Sequence, residues 1–131
     1  MPRPRPRWLV RLVHEPADGD ARTLATVVET AEGVLGKARG LMFRRSVPEE
    51  YALVFHHGEP RRRGLHMLFV PFPVDAVWLV DGEVTATARL RPWVGRGAAR
   101  ADTVLELPAG AAAAVEPGDV VRFEHEQGGE E

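Results

Sequence analysis

Few side chains in this 131-residue sequence carry usable chemistry, and the most conspicuous ones sit among apolar neighbours. The run GLHMLFVPFPVDAVWLV, from Gly64 to Val80, contains only His66 and Asp75 as ionisable residues. A carboxylate between Val74 and Ala76 is costly unless it accepts hydrogen bonds or meets a cation. Asp75 is therefore the first candidate for a functional acid, and equally for the anchor of a structural network with an arginine or main-chain N–H groups. Glu106, in LELP, is the second candidate. Two carboxylates held at different pKa values could divide general acid and general base roles on a polar metabolite or sugar. Arg39 and Arg44 flank GLMF and could neutralise either acid or grip an anionic ligand with a planar fork of donors. His66 alternates with Leu68 and Val70 on one strand face, the pattern of a packed, hydrogen-bonded histidine. With Trp78 it offers a wall for a ligand groove lined by Arg39 and Arg44.

Other chemistries lack their residues. There is no cysteine, which removes disulfides, thiolate nucleophiles and thiolate metal ligands and suits a reducing, cytoplasmic setting. His56 and His57 are adjacent and would point to opposite faces of a strand. No H-x-H or E-x-x-H spacing exists, so neither a metal nor another cofactor is expected. Ser46, the sole serine, has no nucleophile elbow around it. GRGAAR, Gly95–Arg100, does not join a strand to a helix, which weakens a phosphate-cradling reading. Arg61, Arg62 and Arg63 form a basic cluster without interleaved aromatics, which counts against single-stranded nucleic acid. No window reaches the apolar length of a membrane span.

The elements that must position these residues are mostly strands. With 44% hydrophobic residues and net charge −2, the chain suits one soluble domain. Residues 1–7 alternate Pro and Arg and read as a flexible basic arm, 8–125 as a single β-rich domain, and 126–131 as an acidic flexible tail. Strand patterns cover Trp8–His14, Thr23–Glu29, Tyr51–Phe55, Leu65–Val70, Asp75–Val80, Val84–Leu90, Thr103–Leu107 and Asp119–His125. Asp81-Gly82 is a hairpin signal, and Pro117-Gly118 fits the centre of a type II turn. A short helix is expected to end near Arg39, before Gly40, and a second helical turn to follow Pro108. HHGEPRRRG and PWVGRGAARAD read as loops. Short strands joined by tight turns predict a mainly β fold, a compact antiparallel barrel or two-sheet sandwich with one or two short helices.

Three stretches, ARGLMFRRSVP (Ala38–Pro48), PVDAVWLVDGEV (Pro73–Val84) and VLELPAGAAAAVEPGDVV (Val104–Val121), occur in an order and spacing that resembles the domain of unknown function 192 family. The resemblance, of archaeal type, spans roughly Val27 to Phe123 and implies a compact, mainly β domain without an established activity. Many members of that family carry a Trp-Met-Lys-Asn-Thr-like run before the Pro-x-Asp element. Here HMLFV, His66–Val70, keeps Met67 and replaces the polar pair with Leu68-Phe69. A shared polar site built on that pair would lack two members in this chain.

With no complete catalytic constellation visible, the leading expectation is a non-catalytic module for an unknown small ligand or protein. A small enzyme using Asp75 and Glu106 is the first alternative. Weak nucleic-acid binding through the Arg3–Arg11 arm and Arg61–Arg63 is the second.

Overall fold

A computed structural model of the chain describes residues 9–31 and 40–126. Eight strands make up the described chain: β1 (Leu9–Glu15), β2 (Arg22–Ala25), β3 (Val27–Thr30), β4 (Tyr51–His66), β5 (Val74–Val80), β6 (Glu83–Leu90), β7 (Arg96–Pro108) and β8 (Val120–Glu126). They form one sheet in the order β2-β1-β8-β6-β5-β7-β4-β3. All pairings are antiparallel except β3 with β4. The two ends of the sheet, β2 and β3, are separated in sequence by Thr26 alone. That single-residue link brings the ends side by side, so the sheet curls as a barrel does without a hydrogen-bonded closure. The mainly β expectation holds, with the sheet mixed rather than wholly antiparallel.

Local chemistry explains the turns. Asp81 (φ 51°) and Gly82 (φ 84°) form the two-residue β5–β6 hairpin, a left-handed pair that Asp-Gly supplies at little cost. Asp119 N donates to Glu116 O at 3.0 Å across Pro117 and Gly118 (φ 96°), as a type II turn requires.

Three expected elements differ. The expected strand Leu65–Val70 stops at His66, and Val70 N bonds back to Met67 O at 2.9 Å in a tight turn. Residues after Pro108 make separate turns rather than a helix, with Ala111 N to Pro108 O and Ala113 N to Gly110 O. Gly110 is left-handed (φ 98°), and Asp75 captures the N–H groups of Gly110 and Ala112. The loops expected at HHGEPRRRG and GRGAAR are instead the outer halves of β4 and β7, paired from Arg61↔Ala101 to His66↔Arg96 as a two-stranded ribbon. The helix expected to end near Arg39, the basic arm and most of the acidic tail lie outside the described residues. No helix among the described residues is long and apolar enough to cross a membrane.

The central strands are buried on both faces. Val77, Leu79, Leu105 and Leu107 join Leu12, Val54 and Val121 in an inner core. Val74, Ala76, Trp78 and Val104 face the other way and pack with Leu53, Phe55 and Met67 under the loops at 40–48, 67–73 and 91–95. Burying each such side chain contributes about 1.5–3 kcal/mol.

Candidate functional site

The register of β5 against β7 decides how the two candidate acids relate. Asp75 lies opposite Leu107, and Ala76 opposite Glu106. Residues directly opposite share a face, and neighbours along a strand do not. Asp75 therefore belongs to the inner face with Leu107, and Glu106 to the outer face with Ala76. The sheet itself separates the two carboxylates.

Asp75 is saturated with donors. Arg89 Nε donates to Oδ1 at 2.7 Å, and Gly110 N and Ala112 N donate to Oδ2 at 2.9 and 3.0 Å. Arg89 is half-exposed and crosses from the neighbouring strand at the paired position. The bonds hold the turns after Pro108 against the inner core, a structural task.

Glu106 is the opposite case. It is only 6% exposed, yet among the described residues its carboxyl makes no hydrogen bond or ion pair. Burial pushes its pKa up to about 7, and the charge of Arg44 offsets part of that rise. The carboxyl borders a cavity of about 220 Å³ lined by Gly40, Leu41, Phe55, Met67 and Val70 among others. Gly40 (φ 50°) helps keep that space open, since a Cβ there would meet Phe55 at 3.3 Å and Glu106 Oε1 at 3.7 Å. A buried carboxyl beside a cavity of mixed polar and apolar lining can give or take one directional hydrogen bond near neutral pH and orient a small amphipathic molecule.

The remaining candidates separate. Arg44 donates to the Tyr51 hydroxyl at 3.1 Å and pairs with Glu29 at 3.1 Å, and its guanidinium lies 5.6 Å from the Tyr51 ring centroid. Tyr51 in turn donates to Glu29 at 2.5 Å. That bond is the main reason the Glu29 carboxyl is held below its usual range, and burial followed by the Glu29 bond drives the Tyr51 hydroxyl upward. Arg44 thus reaches Glu106 only through its field. His66 is exposed rather than packed and borders the cavity, its Nδ1 accepting from Leu68 N at 3.2 Å. Trp78 is buried in the outer core, donates from Nε1 to Arg63 O at 2.8 Å, and does not line the cavity. Arg39 lies outside the described residues.

Two groupings have no counterpart in the sequence reading. His14 Nδ1 accepts from Arg22 Nε at 3.3 Å, so Nε2 carries the proton that meets Asp119 Oδ2 at 2.8 Å. Asp119 also accepts from Ala17 N and Glu116 N, both at 3.0 Å. The apolar run WLVRLVH that encloses His14 was the available signal. The second grouping is aromatic. Phe43 and Phe69 stack with centroids 4.9 Å apart, and Trp93 meets Phe69 edge-on at 6.1 Å.

A model of the family described as DUF192, an uncharacterised ACR, matches residues 15–123. Two solved structures are similar at 25% sequence identity. One is a putative transcription regulator from Sinorhizobium meliloti 1021, with a TM-score of 0.77, covering 92% of this chain and 98% of that one. The other is a protein of unknown function from Novosphingobium aromaticivorans DSM 12444, with a TM-score of 0.74, covering 86% of this chain and 83% of that one. No curated protein matches the chain.

Proposed function

The chain belongs to the DUF192 family, whose description carries no activity, and from its own geometry we propose a non-catalytic module that binds a small amphipathic molecule in the cavity beside Glu106. One observation carries this reading. Among the described residues the buried Glu106 carboxyl makes no hydrogen bond, and it borders a space of about 220 Å³ of mixed polar and apolar lining. A ligand with an apolar body and a single amine, hydroxyl or amide would satisfy that carboxyl. The space corresponds to about seven waters at ~30 Å³ each, which suits a fragment-sized body. The acid–base alternative needs both carboxylates in one pocket, and Asp75 and Glu106 belong to opposite faces.

Butylamine, butanol and butyramide titrated into ¹⁵N-labelled protein test the proposal. At least one should shift the amides of Gly40, Leu65 and Met67, and Glu106→Leu should abolish its preference over butane-like controls. If none of the three moves those amides at millimolar concentration, the cavity is packing space and the proposal fails.

A further inference from the structure

The β4–β7 ribbon brings together arginines that lie far apart in sequence. Along β4 the three consecutive arginines divide by strand alternation. Arg61 pairs with Glu59, and Arg63 donates to the main-chain oxygens of Ala101 and Glu59. Arg62 points to the other face, directly opposite Arg100, and among the described residues neither makes an ion pair. Two positions along, Gly64 lies opposite Ala98; two further, His66 lies opposite Arg96, again without an ion pair. Like charges directly opposite one another destabilise a ribbon. This face accepts one such Arg–Arg pair and places a histidine against a third arginine. All four side chains are exposed. The small residues between them leave an open groove bordered by Arg62, Gly64, His66, Arg96 and Ala98, with no acidic residue in its lining. From Arg62 to His66 the groove runs ~13 Å at about 3.3 Å per residue.

The ribbon ends in the aromatic cluster. Met67 N donates to Gly95 O at 3.0 Å, continuing the ladder past His66 and Arg96. Immediately beyond, Trp93 N bonds to Val70 O and Phe43 N to Phe69 O, which draws Phe43, Phe69 and Trp93 together. They are 64%, 41% and 52% exposed, too much for a core role. Each is also left-handed, at φ 69°, 62° and 67°; among the described residues Asp81 is the one other non-glycine with positive φ. Such a backbone costs about 1–2 kcal/mol per residue outside glycine. Three aromatics are held at that cost, in solvent, beside arginines that make no ion pair among the described residues.

We propose that this surface binds single-stranded nucleic acid, with phosphates along the Arg62, Arg100 and Arg96 face and bases stacked on the Trp93, Phe69 and Phe43 cluster. A cationic groove that tracks a backbone, joined to exposed rings that accept unpaired bases, is the physical requirement for such a ligand. An anionic bilayer would use the same charges, but it has no call for a depression over Gly64 and Ala98 between the cations.

Fluorescein-labelled dT20 followed by anisotropy at 50 mM NaCl tests it with the full chain. Binding should weaken with salt along a log–log slope of about −2 or steeper, from three phosphate contacts at ~0.7 each. Arg62→Gln/Arg96→Gln/Arg100→Gln should flatten that slope by about 2. Trp93→Ala should weaken binding roughly 5- to 150-fold with the slope unchanged. Thermal melts of both variants should fall no more than slightly below the wild type, because the altered side chains are exposed, and the triple variant, relieved of the Arg62–Arg100 repulsion, should melt at or above it. The proposal is overturned by no binding at 50 mM NaCl, or by a triple variant that binds as the wild type does, placing the contact elsewhere on the chain. Tighter binding of a 20-base-pair duplex, or capture by phosphatidylglycerol vesicles with dT20 unbound, overturns it as well.

Discussion

Glu106→Gln should make the protein more stable at pH 8 and leave it nearly unchanged at pH 4.5. In the folded chain the Glu106 carboxyl keeps its proton until about pH 7, because burial disfavours the charged form; its ordinary value is 4.5. Below pH 4.5 both folded and unfolded states hold the proton, and the residue has no pH-dependent effect. Between 4.5 and 7 the unfolded chain releases the proton while the folded chain retains it, so stability falls as pH rises. Above 7 the penalty is complete, at about 3 kcal/mol, from 1.36 kcal/mol for each pH unit of that gap. Glutamine keeps the shape and the hydrogen-bonding capacity and never ionises. For a domain of this size, 3 kcal/mol corresponds to a melting difference of about 10 °C, taking ~2.1 cal/mol/K per residue for the unfolding entropy. Urea unfolding of both proteins from pH 4 to 8.5 measures it. Curves that stay parallel across that range would show that the carboxyl is solvated or paired, and would remove the basis for the cavity proposal.

Asp75→Ala should lower stability by about 2–4 kcal/mol in urea unfolding, since it strands the Gly110 and Ala112 N–H groups as well as Arg89. Arg89→Ala should cost clearly less, because the main-chain donors to Asp75 remain and Arg89 is half in solvent; equal losses would refute the claim that the backbone bonds dominate. Asp119→Asn should lower the melting temperature at pH 7. The His14 bond, followed by the Ala17 and Glu116 amides, holds the Asp119 carboxyl below its usual range. That stabilisation is present above the ordinary carboxylate value and fades as pH falls through the lowered folded value, so the gap between variant and wild type should narrow in acid.

Much of the β scaffold could be read from residue order, because alternation and turn chemistry are local. Asp81-Gly82 and Pro117-Gly118 specify their turns regardless of what surrounds them. The β4–β7 ribbon could not be read that way. Its strands carry arginine, histidine, glycine and proline, both faces meet solvent over much of their length, and no apolar period of two marks them. The aromatic cluster was hidden for a different reason. Residues 43, 69 and 93 come from three separate loops joined by main-chain bonds, and nothing about Phe or Trp forecasts a left-handed backbone. Asp75 announced a need for donors through its apolar neighbours. Which donors met that need depended on turns 35 and 37 residues away.

The chain's polar groups divide into a closed set and an open one. On the inner face, Asp75 and the His14–Asp119 pair are each closed: each carboxylate accepts two main-chain N–H groups and a side-chain donor. Such groups lock loops to strands and have no capacity left for a ligand. Elsewhere the pattern reverses: among the described residues Glu106 makes no hydrogen bond, Arg62, Arg96 and Arg100 make no ion pair, and the aromatics stand in solvent. Selection for stability alone would favour removing each of these features, as glycine at 43, 69 or 93 or an apolar residue at 106 would do locally. Glu106 and the three aromatics gather at loops 40–48, 67–73 and 91–95, and the arginines line the ribbon that leads into those loops, which is where both proposals put a ligand.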